Sequence, residues 1–320
     1  MTKHNIIVVG TSAGGVDALC KLSRSLPEGL DASIFVVMHI GDESVLPQIL
    51  NHCGKLPAVV ATHNKRYKRG CIYVAPAQHH LSIKNGVTLL SRGPRENGHR
   101  PAIDVLFRSA AREHRSKVVG VVLSGGRDDG SAGLYTIKAR GGIAIVQDPA
   151  EALTPNMPQN ALKLVDVDFC LPVRQIAELL GQLANGKASN VNESPNGGDD
   201  MENEASPEHP TREPAGDQIP LACPECDGPI YEVKRGEFAH FECFVGHRFS
   251  PDSLSEEHTE ALERALWTAI RKLKERVVLH QNLVERKRNK GEQELAKRLE
   301  ESIQTAKKDL NLLREVLDRI

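Results

Sequence analysis

No sign of charge dominates this chain. Its 41 Lys and Arg against 42 Asp and Glu leave a formal net charge of -1, so no global field argues for nucleic acid or an acidic membrane surface as a partner. Long apolar runs are missing as well. No window approaches the ~20 uninterrupted apolar residues that span a bilayer, and Met1 to Asn5 leads straight into a short apolar run without a signal-peptide pattern. A cytoplasmic location without direct membrane insertion is the expectation. Cysteine is scarce, odd in number and unevenly spread, with seven in 320 residues, which argues against a disulfide framework. Cys20, Cys53, Cys71 and Cys170 read as small apolar fillers. Two phosphate-binding signatures are absent too: there is no Gly-Lys-Ser/Thr, and the G-x-G-x-x-G that would start at Gly10 meets Ser12 where its second glycine belongs.

What is present is enough hydrophobic residue, 40%, for a substantial core. From Ile6 to about Ala184 short apolar runs ("IIVV", "ASIFVVM", "LPAVVAT", "KVVGVVLS", "IAIVQ") alternate with helical patterns. Continuous apolarity within the runs predicts a doubly wound, mostly parallel sheet covered on both faces. "CIYVAPAQHHLSIKNGVTLLSRG" interrupts it, and Asn85-Gly86 supplies the positive φ angles of a two-residue turn, so an inserted β-hairpin is expected. Residues 1–184 then form an α/β domain. Residues 185–220, about 36 with almost no large apolar side chain, read as a flexible linker with a reach of roughly 30–36 Å.

Residues 221–250 contain two short-spaced pairs, Cys223-x-x-Cys226 and Cys243-x3-His247. Two such pairs on separate knuckles suit a tetrahedral zinc site; the alternative is an unmetallated β-unit built on Phe238, Phe241, Phe244 and Phe249. Residues 251–320 read as a helical hairpin broken at Asn289 to Gly291. Its stripes are Leu262, Leu266, Ala269, Leu273 and Val277, then Leu295, Leu299, Ile303, Ala306, Leu310 and Leu313. They serve either self-packing or docking onto a helical partner.

"GTSAGG" fits G-x-S-x-G, with Gly10, Ser12 and Gly14 at a strand-to-helix turn. A serine hydroxyl is inert without a base within hydrogen-bond reach. In a parallel sheet the strand C-terminal ends converge on one edge. Of 13 histidines, His39 directly follows the strongly apolar "IFVVM"; a satisfied structural histidine is the other reading. "GGRDDG", at a third strand end, offers Asp128 and Asp129, although Asp129 is also well placed to cap the next helix. The order Ser, His, Asp departs from the Ser, Asp/Glu, His order of α/β-hydrolases.

With these residues located, the chain resembles the catalytic domain of the bacterial chemotaxis methylesterases, the protein-glutamate methylesterases called CheB. "GTSAGG", "VVMH", "APAQHHL", "GHRPAIDVLFRSAA" and "LSGGRDDGSAGL" carry the resemblance, over about Ile6 to Ala184. It implies Ser12 as nucleophile, His39 as base and Asp129 as the acid orienting the imidazole, with no cofactor for catalysis. The implied substrates and partners are the cytoplasmic helices of methyl-accepting chemoreceptors, whose glutamate γ-methyl esters would be hydrolysed through an acyl-enzyme, with glutamine deamidation as an added activity. Familiar members read Gly-Met-Gly-Asn-Asp-Gly where this chain reads "GGRDDG", so Gly126 occupies the place of a methionine whose backbone N–H helps form the oxyanion hole. Ala13 follows the nucleophile, where some members carry threonine. Arg100 in "HRP" reads either as a substrate-positioning group or as a helix-start or ion-pair residue. Familiar members also carry an N-terminal receiver domain; a stand-alone form is expected here, with the C-terminal region localising or gating the esterase in its place. Some stand-alone relatives carry a similar Cys/His segment followed by helices. Two alternatives stay open: a catalytically silent relative acting as a signalling scaffold, and a nucleotide-dependent enzyme using the same turn, supported by Asp31 alone.

Overall fold

A computed structural model describes residues 4–39, 45–186, 214, 216–235 and 238–320. The first half of the chain runs β1 (Ile6–Thr11), α1 (Gly15–Ser25), β2 (Ser33–Met38), α2 (Leu46–Cys53), β3 (Ala58–Val60), β4 (Lys65–Arg66), β5 (Cys71–Val74), β6 (His80–Lys84) and β7 (Val87–Ser91). It continues with α3 (Ile103–His114), β8 (Val118–Val122), α4 (Ser131–Ala139), β9 (Ile143–Gln147), α5 (Asn156–Leu164), β10 (Phe169–Leu171) and α6 (Val173–Ala184). Seven strands form one sheet in the order β10-β9-β8-β1-β2-β5-β3, and every pairing in it is parallel.

Both faces of this sheet are buried, which is why its strands are apolar at successive residues rather than alternate ones. In β1, Ile7 and Val9 join a core cluster with α1, α2 and α6, while Ile6 and Val8 join a second with α3, α4 and α5. Fully burying one Phe, as at Phe35 and Phe107, contributes about 1.5–3 kcal/mol. The sheet winds outward from β1 in both directions, through β2 on one side and β8 on the other. The C-terminal end of β1 therefore lies at the topological switch point, where open α/β sheets form their ligand crevice.

The inserted antiparallel unit has three strands, β4-β7-β6, turning at Asn85 (φ 51°) and Gly86 (φ 74°). Cys71–Val74, expected in the hairpin, is instead a strand of the parallel sheet, paired with β2 and β3. Its continuous burial is the signature of a two-sided strand. Cys20 and Cys53, expected as fillers, form a disulfide between α1 and α2 with their Cα atoms 5.4 Å apart. The two helices pack side by side and set the pair within bonding range.

Of the expected linker, residues 187–213 and 215 lie outside the described residues. A strand begins inside its expected C-terminal end: β11 (Asp217–Ala222) pairs with β12 (Pro229–Arg235), followed by β13 (Phe238–Cys243) and β14 (Arg248–Phe249) in one antiparallel sheet. Two long helices follow, α7 (Pro251–Asn289) and α8 (Gln293–Leu317). The chain divides into two compact units, Met1–Leu254 and Ser255–Ile320. In the second, Val284, Ala296 and Ile303 form a small buried cluster with Val277 and Leu299 against it, so the two stripes pack on each other. Leu262 and Leu295 are exposed, and Ala296 takes the buried position expected of Leu295. Among the described residues no helix is long and apolar enough to cross a membrane.

Candidate active site

Ser12 stands immediately after β1, in a turn tied to the end of β8. Its N–H donates to the Ser124 carbonyl at 2.9 Å, and the Thr11 hydroxyl donates to the same carbonyl at 2.7 Å. The Ser124 hydroxyl in turn donates to the Ala13 carbonyl at 2.8 Å. The flanking glycines are required by space and by backbone. A Cβ at Gly10 would lie 2.3 Å from Ile103 Cγ2, and Gly14, at φ +76°, would meet Leu153 and the Ser124 hydroxyl at 2.7 Å.

The register of β1 and β2 pairs Thr11 with Met38, so Ser12 and His39 are the next residues on adjacent strands. The His39 N–H donates to the Thr11 carbonyl at 3.2 Å. Both side chains line a cavity of about 810 Å³ shared with Ala13, Val16, Arg24 and Met38. The imidazole of His39, its side chain 8% exposed, donates from Nε2 to Asp129 Oδ2 at 2.8 Å. Its Nδ1 is buried without a hydrogen-bond partner among the described residues. His99 stacks on the same ring, centroids 3.6 Å apart and planes within 18°. Burial, reinforced by His39, pushes the His99 pKa down to about 3, so this second imidazole is neutral.

Asp129 is completely buried and accepts four hydrogen bonds. Oδ2 takes the His39 Nε2–H and, at 2.7 Å, the Ile103 N–H; Oδ1 takes the Asn97 Nδ2–H at 3.1 Å and the Asp104 N–H at 3.2 Å. Burial alone would raise this carboxyl, but the hydrogen bond from His39, the electrostatics of the neighbouring imidazoles and the Ile103 backbone donor hold it below the usual carboxylate range. The donors Ile103 and Asp104 open α3, so Asp129 caps that helix. It does not cap α4, whose N-cap Gly130 makes no side-chain cap. The Gly133 N–H in the first turn of α4 goes instead to Asp104 Oδ1 at 2.6 Å. Asp104 of α3 thus serves the start of α4, and Asp129, in the loop that leads into α4, serves the start of α3.

Of the other expected site residues, Ala13 is exposed and lines the cavity, and Gly126 faces open space, with nothing within 4 Å of a Cβ added there. It is Gly125 that packs on the serine, its Cβ position 3.0 Å from Ser12 Cβ. The Arg100 guanidinium donates to the carbonyls of Arg92 and Gly93 at 3.2 and 2.9 Å. It lies outside the cavity lining. Asp128 accepts instead from the Ser253 hydroxyl at 2.7 Å. Ser253-x-x-Glu256 reads as a capping box at the start of the helical region, but the cap is Ser250, whose Oγ accepts from the Ser253 N–H. Sequence reasoning passed over Asn97, His99 and Ser124. Asn97-Gly98 carried the same turn signal as Asn85-Gly86, and both its residues have positive φ, 52° and 75°.

Cys223, Cys226, Cys243 and His247 converge, with all four ligand atoms within 4.8 Å of one another. Metal–sulfur and metal–nitrogen bonds of ~2.3 and ~2.05 Å at tetrahedral angles place ligand atoms about 3.6–3.8 Å apart. The structure has Cys226 Sγ to Cys243 Sγ at 3.7 Å, Cys223 Sγ to His247 Nδ1 at 3.7 Å and Cys243 Sγ to His247 Nδ1 at 3.4 Å. These residues fit a tetrahedral metal ion. The Cys243 thiol is pushed down to about 3, chiefly by the hydrogen bond from Cys223. The alternative phenylalanine core does not form as expected: Phe249 is buried and Phe241 packs against the cluster, but Phe244 is 53% exposed. The Phe238 side chain lies outside the described residues.

A doubly wound parallel sheet with a serine at its switch point, and a histidine–aspartate pair at neighbouring strand ends, defines the class: an α/β protein organised around a serine elbow. The chain belongs to the CheB methylesterase family, whose model matches residues 7–180. A Leptospira interrogans protein, named as a candidate protein-glutamate methylesterase/protein-glutamine glutaminase, is 39% identical over 183 residues, spanning 56% of this chain and 95% of that one. The protein-glutamate methylesterase/protein-glutamine glutaminase of Clostridium acetobutylicum is 32% identical over 183 residues, but this chain covers 53% of its length. The crystal structure of the Thermotoga maritima CheB methylesterase catalytic domain matches with a TM-score of 0.55 and 31% identity, over 57% of this chain and all of that one.

Proposed function

We propose that this protein hydrolyses glutamate γ-methyl esters on the cytoplasmic helices of methyl-accepting chemoreceptors by a Ser12-His39-Asp129 acyl-enzyme mechanism, and deamidates glutamines at the same site. The observation that carries the reading is the orphaned Nδ1 of His39. With Nε2 committed to Asp129, Nδ1 is the nitrogen left to accept a proton; it is buried without a partner among the described residues, on a residue that lines the same cavity as Ser12. A buried acceptor left unpaired costs about 1–3 kcal/mol, a cost that catalysis explains.

Ser12 Oγ attacks the ester carbonyl while its proton passes to His39 Nδ1. Asp129 stabilises the imidazolium through Nε2 and fixes the ring. The C–OCH₃ bond breaks, the proton returns from Nδ1 to the leaving oxygen, and methanol departs. Water then attacks the acyl-serine by the same route, giving the free glutamate and restoring Ser12. Backbone N–H groups of Ala13 and Gly126 serve as the oxyanion donors, each worth roughly 3–4 kcal/mol of barrier. No cofactor enters these steps. For the Cys/His unit the proposed metal is zinc in a structural role, since four filled protein positions leave no open one for a substrate.

The test is methanol released from methyl-labelled receptor fragments. Ser12→Ala is expected to lose the release by roughly 10⁴-fold or more, the scale of removing a nucleophile, while the parent chain sustains it. No release from the parent chain on several receptor types would overturn the esterase reading in favour of a silent scaffold.

A further inference from the structure

The polypeptide that leaves the Cys/His sheet closes on the loop bearing Asn97. The Asn97 N–H donates to the Arg248 carbonyl at 2.8 Å, and Glu96 forms a parallel β-bridge with Arg248. The Ser250 N–H donates to Asn97 Oδ1 at 3.0 Å. The Ser253 N–H donates to Ser250 Oγ at 3.0 Å, opening α7 with a local cap. Ser253 then gives its own hydroxyl to Asp128 Oδ1, with both residues buried. On the other side of the same amide, Asn97 Nδ2 donates to Asp129 Oδ1 and to Asp104 Oδ2, each at 3.1 Å.

We propose that Ser250 and Ser253 are positioning residues for the triad acid, so that the Cys/His unit forms part of the catalytic apparatus rather than an appendage. The proposal rests on the methylesterase reading. Its chemistry is one of orientation. An Asn side chain presents an acceptor on one side and two donors on the other, and a flip would aim its carbonyl oxygen at the Asp129 carboxylate. A backbone N–H can only donate, so Ser250 admits one orientation of Asn97: Oδ1 toward Ser250 and Nδ2 toward Asp129. Ser253 holds the residue that precedes Asp129. Together the two contacts fix the acid from its own chain and from the neighbouring loop. Two serines following the Cys/His sheet therefore determine whether the carboxylate meets His39 Nε2 squarely. A misplacement of about 1 Å at such a group is worth roughly 10²-fold in rate.

The experiment compares the full chain with Ser253→Ala and Ser253→Thr, measuring kcat, KM, thermal unfolding and the slowly exchanging imidazole N–H proton that His39 shares with Asp129, seen by NMR. In Ser253→Ala, kcat is expected to fall about tenfold or more with KM little changed, and the shared proton signal to broaden or vanish. Ser253→Thr, which keeps the hydroxyl, is expected to restore both. An active parent with unchanged kcat and an unchanged proton signal in Ser253→Ala overturns the proposal and leaves the esterase reading standing. Equal losses in Ala and Thr that follow a lowered unfolding temperature overturn it as well, assigning Ser253 to packing alone. A parent chain that releases no methanol overturns both readings. Should Ser253→Ala not fold, Asn97→Ser in the full chain takes its place, with the same expected loss of the His39 proton signal and the same overturning result.

Discussion

His99 is a base that the fold keeps uncharged. Its ring lies flat on His39 and is buried, and its pKa is pushed down to about 3 from the ordinary 6.5. Between those values the unfolded chain binds a proton that the folded chain refuses, so this group's contribution to stability is complete above about pH 6.5 and is lost as the pH falls toward the folded value. His99→Phe keeps a flat ring against His39 and removes the titration. Denaturant unfolding measured at pH 7 and pH 4.5 is expected to show the parent losing roughly 1 kcal/mol per pH unit more than the variant. Parallel slopes would show that His99 is not the neutral stacked base. Only its place in the "GHRP" stretch set His99 apart from the other histidines; no periodicity pointed to it. His39 stood out because it ends an apolar strand, and strand ends in a parallel sheet meet; His99 reaches the same place from a loop, by a route that periodicity does not encode.

Between elements, the exchange of caps between α3 and α4 sets the position of Asp129. Asp129 accepts from the start of α3 and Asp104 from the start of α4, which brings the helices close enough to require glycine at their contact. A Cβ at Gly133 would lie 2.5 Å from Phe107 Cβ and 3.1 Å from the Asp104 backbone. Gly126, in the preceding loop, has no such neighbour and no positive φ. Gly133→Ala is therefore expected to destabilise by about 1–3 kcal/mol and Gly126→Ala by less than about 0.5 kcal/mol, as read by denaturant midpoints at constant m-value. If the two cost the same, the close helix contact is wrong. The parallel strands were legible because two-sided burial writes a continuous apolar run, and the Asn85-Gly86 turn because positive φ restricts residue type. The cap exchange was not. Asp129 before a helix looks like a local cap, and only tertiary packing sends it to a different helix 26 residues away in sequence. Cys71–Val74 was drawn into the hairpin for a related reason: an apolar run of four residues suits a buried edge of either sheet, and its partners are long-range.

Across the whole molecule, the Cys/His sheet is too small to hold itself. Its buried cluster is Cys223, Ile230, Cys243, Phe249 and Leu254, and two of those five belong to the Cys/His group proposed to hold a metal. Units of this size depend on a staple. Its strands run directly into the residues that brace Asn97 and Asp128, whereas Ser12 and His39 sit on a sheet with extensive apolar clusters on both faces. On the proposed reading, loss of the metal reaches the esterase through Asp129 and leaves the sheet that carries Ser12 and His39 intact. Dialysis of the full chain against a strong chelator is expected to remove about one zinc per chain, raise amide hydrogen exchange through β11 to β14 and at Asn97, and leave β1, β2 and β8 protected. Methanol release is expected to fall in the same samples and to return when zinc is added back. Chelation that releases zinc and opens β11 to β14 while exchange at Asn97 and methanol release both stay constant would show that the two parts of this chain touch without coupling. Exchange that rises equally in β1, β2 and β8 would place the metal in the stability of the entire fold instead.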